Sequence, residues 1–284
     1  MLTLVFGLGA AVAWAVHDLL VRRISQRMPV LPMILTVAAA GSAALMLPAL
    51  FWGDWRAMTT AATGLSMLAG LTYIVGMLGL YLAFQLAPVR IVAPVLGAFP
   101  MISLGIAMAQ GQSVTLLEWL AVLAIVSGIA IVALSGPADG ADPSFRLRPA
   151  LVWAAFGAMG FAFTFALAQQ SVRHGAALPG MLITRLVALV GLTLIAAVAR
   201  APMRKAKGAL PILAMMGVLD ALALGLVTAA GRLPDPEYAS VSSSLFGVLT
   251  ILLAWQVLGE KVKALQWLGI AIVFGGVAVL SAQG

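Results

Sequence analysis

SVSSSLFGVLTILLAWQVLGEKVKALQWLGIAIVFGG, residues 240–276, reads as an apolar helix, a Gly-Glu-Lys turn and a second apolar helix. It is a transmembrane hairpin, with Gly259, Glu260, Lys261 and Lys263 at the membrane surface. The same plan recurs earlier. A shift of 148 positions lays Gly259 on Gly111, Leu265 on Leu117, Trp267 on Trp119 and Gly276 on Gly128, without a gap. Fixed-period self-similarity of this kind marks a duplicated unit. The match continues upstream, where Pro179–Thr184 lies on Leu31–Thr36 and Pro236 on Pro88. Near the start the offset becomes 150, pairing Phe6-Gly7 with Phe156-Gly157 and Arg23 with Arg173.

Working outward, segments of about 20 apolar residues are needed to cross roughly 30 Å of hydrocarbon. Ten qualify: 2–21, 31–52, 64–86, 91–109, 116–135, 150–168, 178–199, 210–230, 239–258 and 265–280. Lipid offers free backbone groups no partner, and strand alternation is absent, so all ten are expected as helices. The polar stretch GPADGADPSFRLRP separates two sets of five. The expected organisation is a first repeat over residues 1–136, a linker over 137–149 and a second repeat over 150–284. Five is odd, so the second repeat enters the membrane from the opposite side. Inverted repeats of this kind are typical of transporters that bind near the midplane, between the halves.

Composition agrees with the class. Charged residues make up 9% and hydrophobic ones 63%, too apolar for a soluble domain. The net charge of +7 reflects Lys and Arg held on one side of the bilayer, and nucleic acid is not an expected partner. The loops after helices 1, 3, 5, 7 and 9 carry 12 basic residues and the other side carries 3, Arg56, Arg173 and Arg232. By the positive-inside rule both termini lie outside the cytoplasm. There is no cysteine, hence no disulfide framework and no thiolate metal site. No metal or cofactor site is expected. Two histidines cannot form a three-His centre, and there is no Walker lysine loop for ATP.

The two five-helix halves, the helix ending in Gly259-Glu260, and Gln266-Trp267-Leu268-Gly269 opening a last helix that carries Gly275-Gly276 together resemble the drug/metabolite transporter superfamily, specifically proteins with two EamA-type domains. Arg185, early in the second helix of its half, matches a position where that family often carries Arg. The first half departs from the pattern, with Gly111-Gln112 in place of Gly-Glu and Val37 opposite Arg185. Many members of that family are thought to have cytoplasmic termini, against the charge count. Within the family the chain is similar to amino-acid exporters of the YddG type. The resemblance implies an inner-membrane secondary transporter of small metabolites. The family also includes carriers of nucleosides, sugars and polyamines.

Polar groups within the spans are the candidates for substrate contact. Trp14, His17 and Asp18 share one face of helix 1 by their spacing, either as a cavity wall with a titratable pair or as a solvated pair near Arg22. In helix 3, Tyr73, Met77, Tyr81 and Gln85 recur every four residues. In helix 6, Phe161, Phe165 and Gln169, joined by Thr164, repeat the pattern. Each stripe suits a ligand with an apolar body and a polar end, or a packing seam. Arg185 and Asp220 are the deepest charges. They either pair or line water; if paired, Asp220 stays ionised and carries no proton. Ser244 is a further candidate for binding. Pro94, Pro100 and Gly247 are candidates for gating, since proline frees backbone carbonyls and bends a helix. Glu118 and Glu260 are expected at the surface.

The sequence therefore leads us to expect an all-α polytopic membrane protein that exports a small amphipathic metabolite, an amino acid, by alternating access. Its partners are the bilayer and the substrate, with room for a homodimer. An intramembrane enzyme acting on lipid, with His17 and Asp18 as acid and base, is the rival from another class.

Overall fold

The computed structural model describes residues 2–109, 114–135, 146–233, 239, 242–243 and 245–283. Among them there is no strand. The helices are α1 (Leu2–Ser25), α2 (Val30–Trp52), α3 (Thr60–Leu86), α4 (Val89–Gly97), α5 (Phe99–Ala109), α6 (Leu116–Leu134), α7 (Leu147–Arg173), α8 (Ala177–Val198), α9 (Leu210–Ala229), α10 (Phe246–Val257) and α11 (Ala264–Gln283). They account for all ten expected spans, α4 and α5 sharing the fourth and α10 covering the described part of the ninth. The chain is an all-α polytopic membrane protein of ten transmembrane helices. Its outside is apolar, with Phe51 76%, Leu134 83% and Val198 86% exposed, while Asp18, Thr164, Arg185 and Asp220 are buried inside. That inversion suits hydrocarbon as the solvent.

The fourth span is broken. Pro94 lies inside α4, which stops at Gly97. Ala98 N–H then bonds back to Val95 O in a tight turn at 3.3 Å, and Pro100, at the start of α5, has no N–H to continue the ladder. Gly247 of α10 faces this break. A Cβ there would meet the Phe274 ring at 2.7 Å and Ala93 O at 3.1 Å, so glycine is what lets α10 lie against α4.

The two halves pack as inverted repeats. Gly128 of α6 abuts Gly269 O and Val273 of α11, and Gly276 of α11 abuts Ala121 O and Ile125 of α6. Swapping partners by 148 positions turns one set of contacts into the other, as a two-fold axis between α6 and α11 requires. The paired glycines in α1 and α7 behave alike. Gly157 touches Leu96 in the fourth span, and Gly7 touches Ala239 and Ser242 in the ninth. Thr36 and Thr184, also matched in sequence, each donate to the carbonyl four residues back, Pro32 O at 2.8 Å and Gly180 O at 3.0 Å.

The longest crossing is the antiparallel one between α3 and α7. Gly76 and Gly79 meet Gly160 and Gly157 so closely that a Cβ at Gly160 would strike Gly76 N and Thr72 O. Small residues permit backbone-to-backbone contact where lipid supplies no hydrophobic drive. Thr72 and Thr164 hydroxyls bond across the seam at 2.9 Å, as do Ser66 and Ser171 at 2.7 Å. This rigid seam presents the Tyr81 face of α3 and the Phe161–Phe165 face of α7 to α1 and α9.

Candidate functional site

The spacing of three and four in α1 places Trp14, His17 and Asp18 on one inward face, and all three are buried, Asp18 completely. The solvated alternative for this pair therefore gives way to a cavity wall. His17 Nδ1 lies 2.9 Å from Asp18 Oδ1 and His17 Nε2 lies 2.9 Å from the Tyr81 hydroxyl. With the carboxylate accepting from Nδ1–H, a neutral ring accepts the Tyr81 O–H on Nε2, giving a Tyr–His–Asp chain. Asp18 Oδ2, though buried, has no hydrogen-bond partner among the described residues.

Beside this chain sits a second carboxylate, Asp220, in the middle of α9. Arg185 NH2 donates to its Oδ2 at 2.7 Å, the Tyr73 hydroxyl donates to the same oxygen, and Trp14 Nε1–H donates to Oδ1 at 3.3 Å. The Arg185 guanidinium lies over the Tyr73 ring, 5.7 Å from its centroid, in the geometry of a cation–π contact. Of the two arrangements open for Arg185 and Asp220, the structure shows the pair. Arg185 is 1% exposed, and its far edge fits against Gly41, where a Cβ would meet NH1 at 2.5 Å.

Between these groups is a cavity lined by Trp14, His17, Asp18, Met77, Leu80, Tyr81, Phe99, Phe161, Phe165, Asp220 and Phe246. Phe165 stacks on Trp14 at 5.3 Å and meets Phe99 edge-on at 5.1 Å. Phe246 approaches Trp14 edge-on at 6.0 Å. The room left for the centre of a water-sized sphere is about 20 Å³, enough for a water or two.

Eight of the sequence-derived candidates thus meet at one place: Trp14, His17, Asp18, Met77, Tyr81, Phe161, Phe165 and Asp220. Tyr73 and Arg185 stand behind Asp220 and do not line the space. Three others lie elsewhere. Gln85, at the end of α3, donates to Ser25 O at 3.3 Å. Gln169 reaches Val227 O at 3.4 Å, and Thr164 serves the α3–α7 seam. Ser244 and the side chain of Pro100 lie outside the described residues, whereas Pro94 and Gly247 come together at the α4–α10 contact. The wall also includes Leu80, Phe99 and Phe246, which sequence reading passed over. Phe99 and Phe246 had a signal, each standing next to a helix break.

At one end of the bundle a charged cluster joins the halves. Gly259 takes φ +66°, which only glycine adopts freely, and the turn carries Glu260 back under α10. Glu260 is not the free surface group expected from sequence. Arg22 Nε donates to its Oε1 at 3.2 Å, Arg22 NH1 donates to Phe84 O at 2.8 Å, and the buried Arg90 feels the charges of both. Glu118, by contrast, caps α6, accepting from Thr115 N–H at 2.6 Å while Thr115 Oγ1 accepts from Glu118 N–H at 3.2 Å.

The sequence matches the EamA-like transporter family twice, over residues 1–134 and 148–282. A comparison with curated proteins gives no match. Among solved structures, a chain titled only "Crystal structure of protein" is similar at 17% identity, with a TM-score of 0.66 over 98% of this chain and 95% of that one. At that identity the likeness concerns the fold alone.

Proposed function

From the premise that the chain belongs to the EamA-like transporter family, we propose that it is a secondary transporter of small amphipathic metabolites, amino acids including aromatic ones, moving them outward across the inner membrane by alternating access. One observation carries this reading: a narrow cavity between the two halves, walled by aromatic rings on most sides and by polar groups of α1 and α9 on the rest. Such a wall fits a ligand with a flat apolar body and a charged end. A cavity of about 20 Å³ holds no amino acid, so loading requires the halves to part, as alternation between open states does.

Closure on one side is supplied by the Arg22–Glu260 pair, which ties α1 to the α10–α11 turn. Because Asp220 is paired with Arg185, we read transport as facilitated diffusion without proton movement. The rival lipid-modifying enzyme finds less support. The Tyr81–His17–Asp18 chain resembles an acid–base relay, but the family whose model matches is one of transporters.

The test is counterflow of labelled phenylalanine in proteoliposomes holding the pure protein. Accumulation driven by unlabelled phenylalanine inside, with no accompanying pH change, is expected. Failure with phenylalanine and with other amino acids refutes the substrate class.

A further inference from the structure

Asp18 is the least satisfied group in the cavity wall. One oxygen accepts from His17; the other is buried with no donor among the described residues. A buried carboxylate oxygen without a donor is costly, and on a cavity wall it marks the place where a ligand's N–H belongs. The local charge balance points the same way. Asp18 and Asp220 place two mutually repelling carboxylates on one cavity wall, and among the described residues the full cation in contact with them, Arg185, is engaged with Asp220 and does not line the space. An incoming positive charge relieves that repulsion.

The rings favour the same ligand. Aromatic faces carry negative electrostatic potential and attract ammonium groups once water is excluded. Trp14, Tyr81, Phe161 and Phe165 all border the space that Asp18 borders. An anion, on the other hand, finds nothing. Among the described lining residues the nitrogen base is His17, whose Nδ1 and Nε2 are both taken, by Asp18 and by Tyr81. Arg185 does not line the space, and its NH1 lies against Gly41.

We propose that the cavity recognises an organic ammonium with an aromatic body, its N–H donating to Asp18 Oδ2 and its ring inserting beside Trp14 and Phe165, and that it reads no carboxylate on its ligand. The inference rests on the transport reading and narrows it. Amino acids are then held by their amino group and side chain, and the corresponding decarboxylated amines bind equally well.

Three probes with the same ring separate the possibilities: phenethylamine, phenylalanine and phenylpropanoate, added to the detergent-purified full chain in a thermal-shift titration. A ligand of the folded form raises the melting temperature by mass action. The amine should stabilise at concentrations no higher than phenylalanine requires, and phenylpropanoate should not stabilise at all. Asp18→Asn should weaken amine binding at least about tenfold, the loss expected for a charge-assisted hydrogen bond. If that variant does not fold, the order of the three probes on the parent protein decides alone. Stabilisation by phenylpropanoate equal to that by the amine, or none by the amine, overturns the proposal. Counterflow keeps the two readings apart. Amine binding without phenylalanine counterflow refutes transport and leaves the ammonium site standing. Counterflow that neither phenethylamine nor Asp18→Asn diminishes refutes the ammonium site and leaves transport standing.

Discussion

The Arg185–Asp220 pair can be taken apart in a way that tests whether it is a fixed part of the scaffold. Asp220 accepts from three donors, Arg185, Tyr73 and Trp14, whereas two further nitrogens of Arg185 have no partner among the described residues. Asp220→Asn keeps a carbonyl for the neutral donors but leaves a buried guanidinium with no counter-charge, which costs about 3–5 kcal/mol. Arg185→Met leaves the carboxylate with two neutral donors and is placed in the same range. In the double variant no charge remains. The Asn oxygen accepts from Trp14, its NH2 donates to the Tyr73 oxygen, and Met fills the slot beside Gly41. Its destabilisation should therefore fall short of the sum of the singles by at least about 2 kcal/mol, well beyond the roughly 0.5 kcal/mol within which independent sites add. Equilibrium unfolding in mixed detergent micelles, followed by tryptophan fluorescence, measures all four corners of the cycle. Additive losses would refute the reasoning, since the two residues would then not share one interaction.

Four further outcomes are expected. Glu260→Gln removes the counter-charge of Arg22 and Arg90 and should raise labelling of a cysteine placed at the cavity wall, Leu80→Cys, at least severalfold from that end of the bundle; unchanged labelling means the pair is no latch. Gly160→Val forces a side chain into the Gly76–Thr72 backbone and should cost about 1–3 kcal/mol, read as a lower melting temperature. Tyr81→Ala should weaken transport of phenylalanine more than that of alanine, since ring contact scales with the ligand's ring; equal loss returns Tyr81 to a packing role. A cysteine at the exposed Gly208, which has open space around it, should resist an impermeant thiol reagent in intact cells if the basic loops are cytoplasmic, and rapid labelling would reverse the orientation.

What sequence reading captured, and what it missed, follows from where the physical constraint lies. The repeat was legible because its matched positions, Gly128 with Gly276 and Gly7 with Gly157, are places where helices touch backbone to backbone, and glycine cannot be replaced there without moving a helix. The α1 stripe was legible because helical spacing alone puts Trp14, His17 and Asp18 on one face. The α3 stripe was legible only in part. Period four drifts around a helix of 3.6 residues per turn, so over twelve residues the face turned away from the cavity and carried Gln85 toward Ser25. Phe99 and Phe246 had no stripe to belong to, since each follows a break that resets helical phase. Glu260 misled because its neighbours are charged and polar; the left-handed Gly259 that folds it inward cannot be placed in space by spacing alone.

The two-fold relation stops short of the site. Contacts between helices obey it, yet the position matching Arg185 is Val37, and the groups that meet in the cavity differ between halves: a Trp–His–Asp face from α1, a Phe–Phe face from α7, and a lone carboxylate from α9. This division has a mechanical sense. Alternating access asks that the two closed ends be nearly equal in free energy, which a symmetric set of helix contacts provides, because one arrangement becomes the other by exchanging the halves. Selective binding asks for the opposite, an asymmetric wall that fits a ligand in one orientation. On the transport reading, pairs such as Arg22–Glu260, whose matching sequence position carries Gly111-Gln112, would bias the otherwise balanced exchange toward one closed end. A protein in which Glu260→Gln left the balance between the two openings unchanged would have its bias set elsewhere, in the unequal walls of the cavity itself.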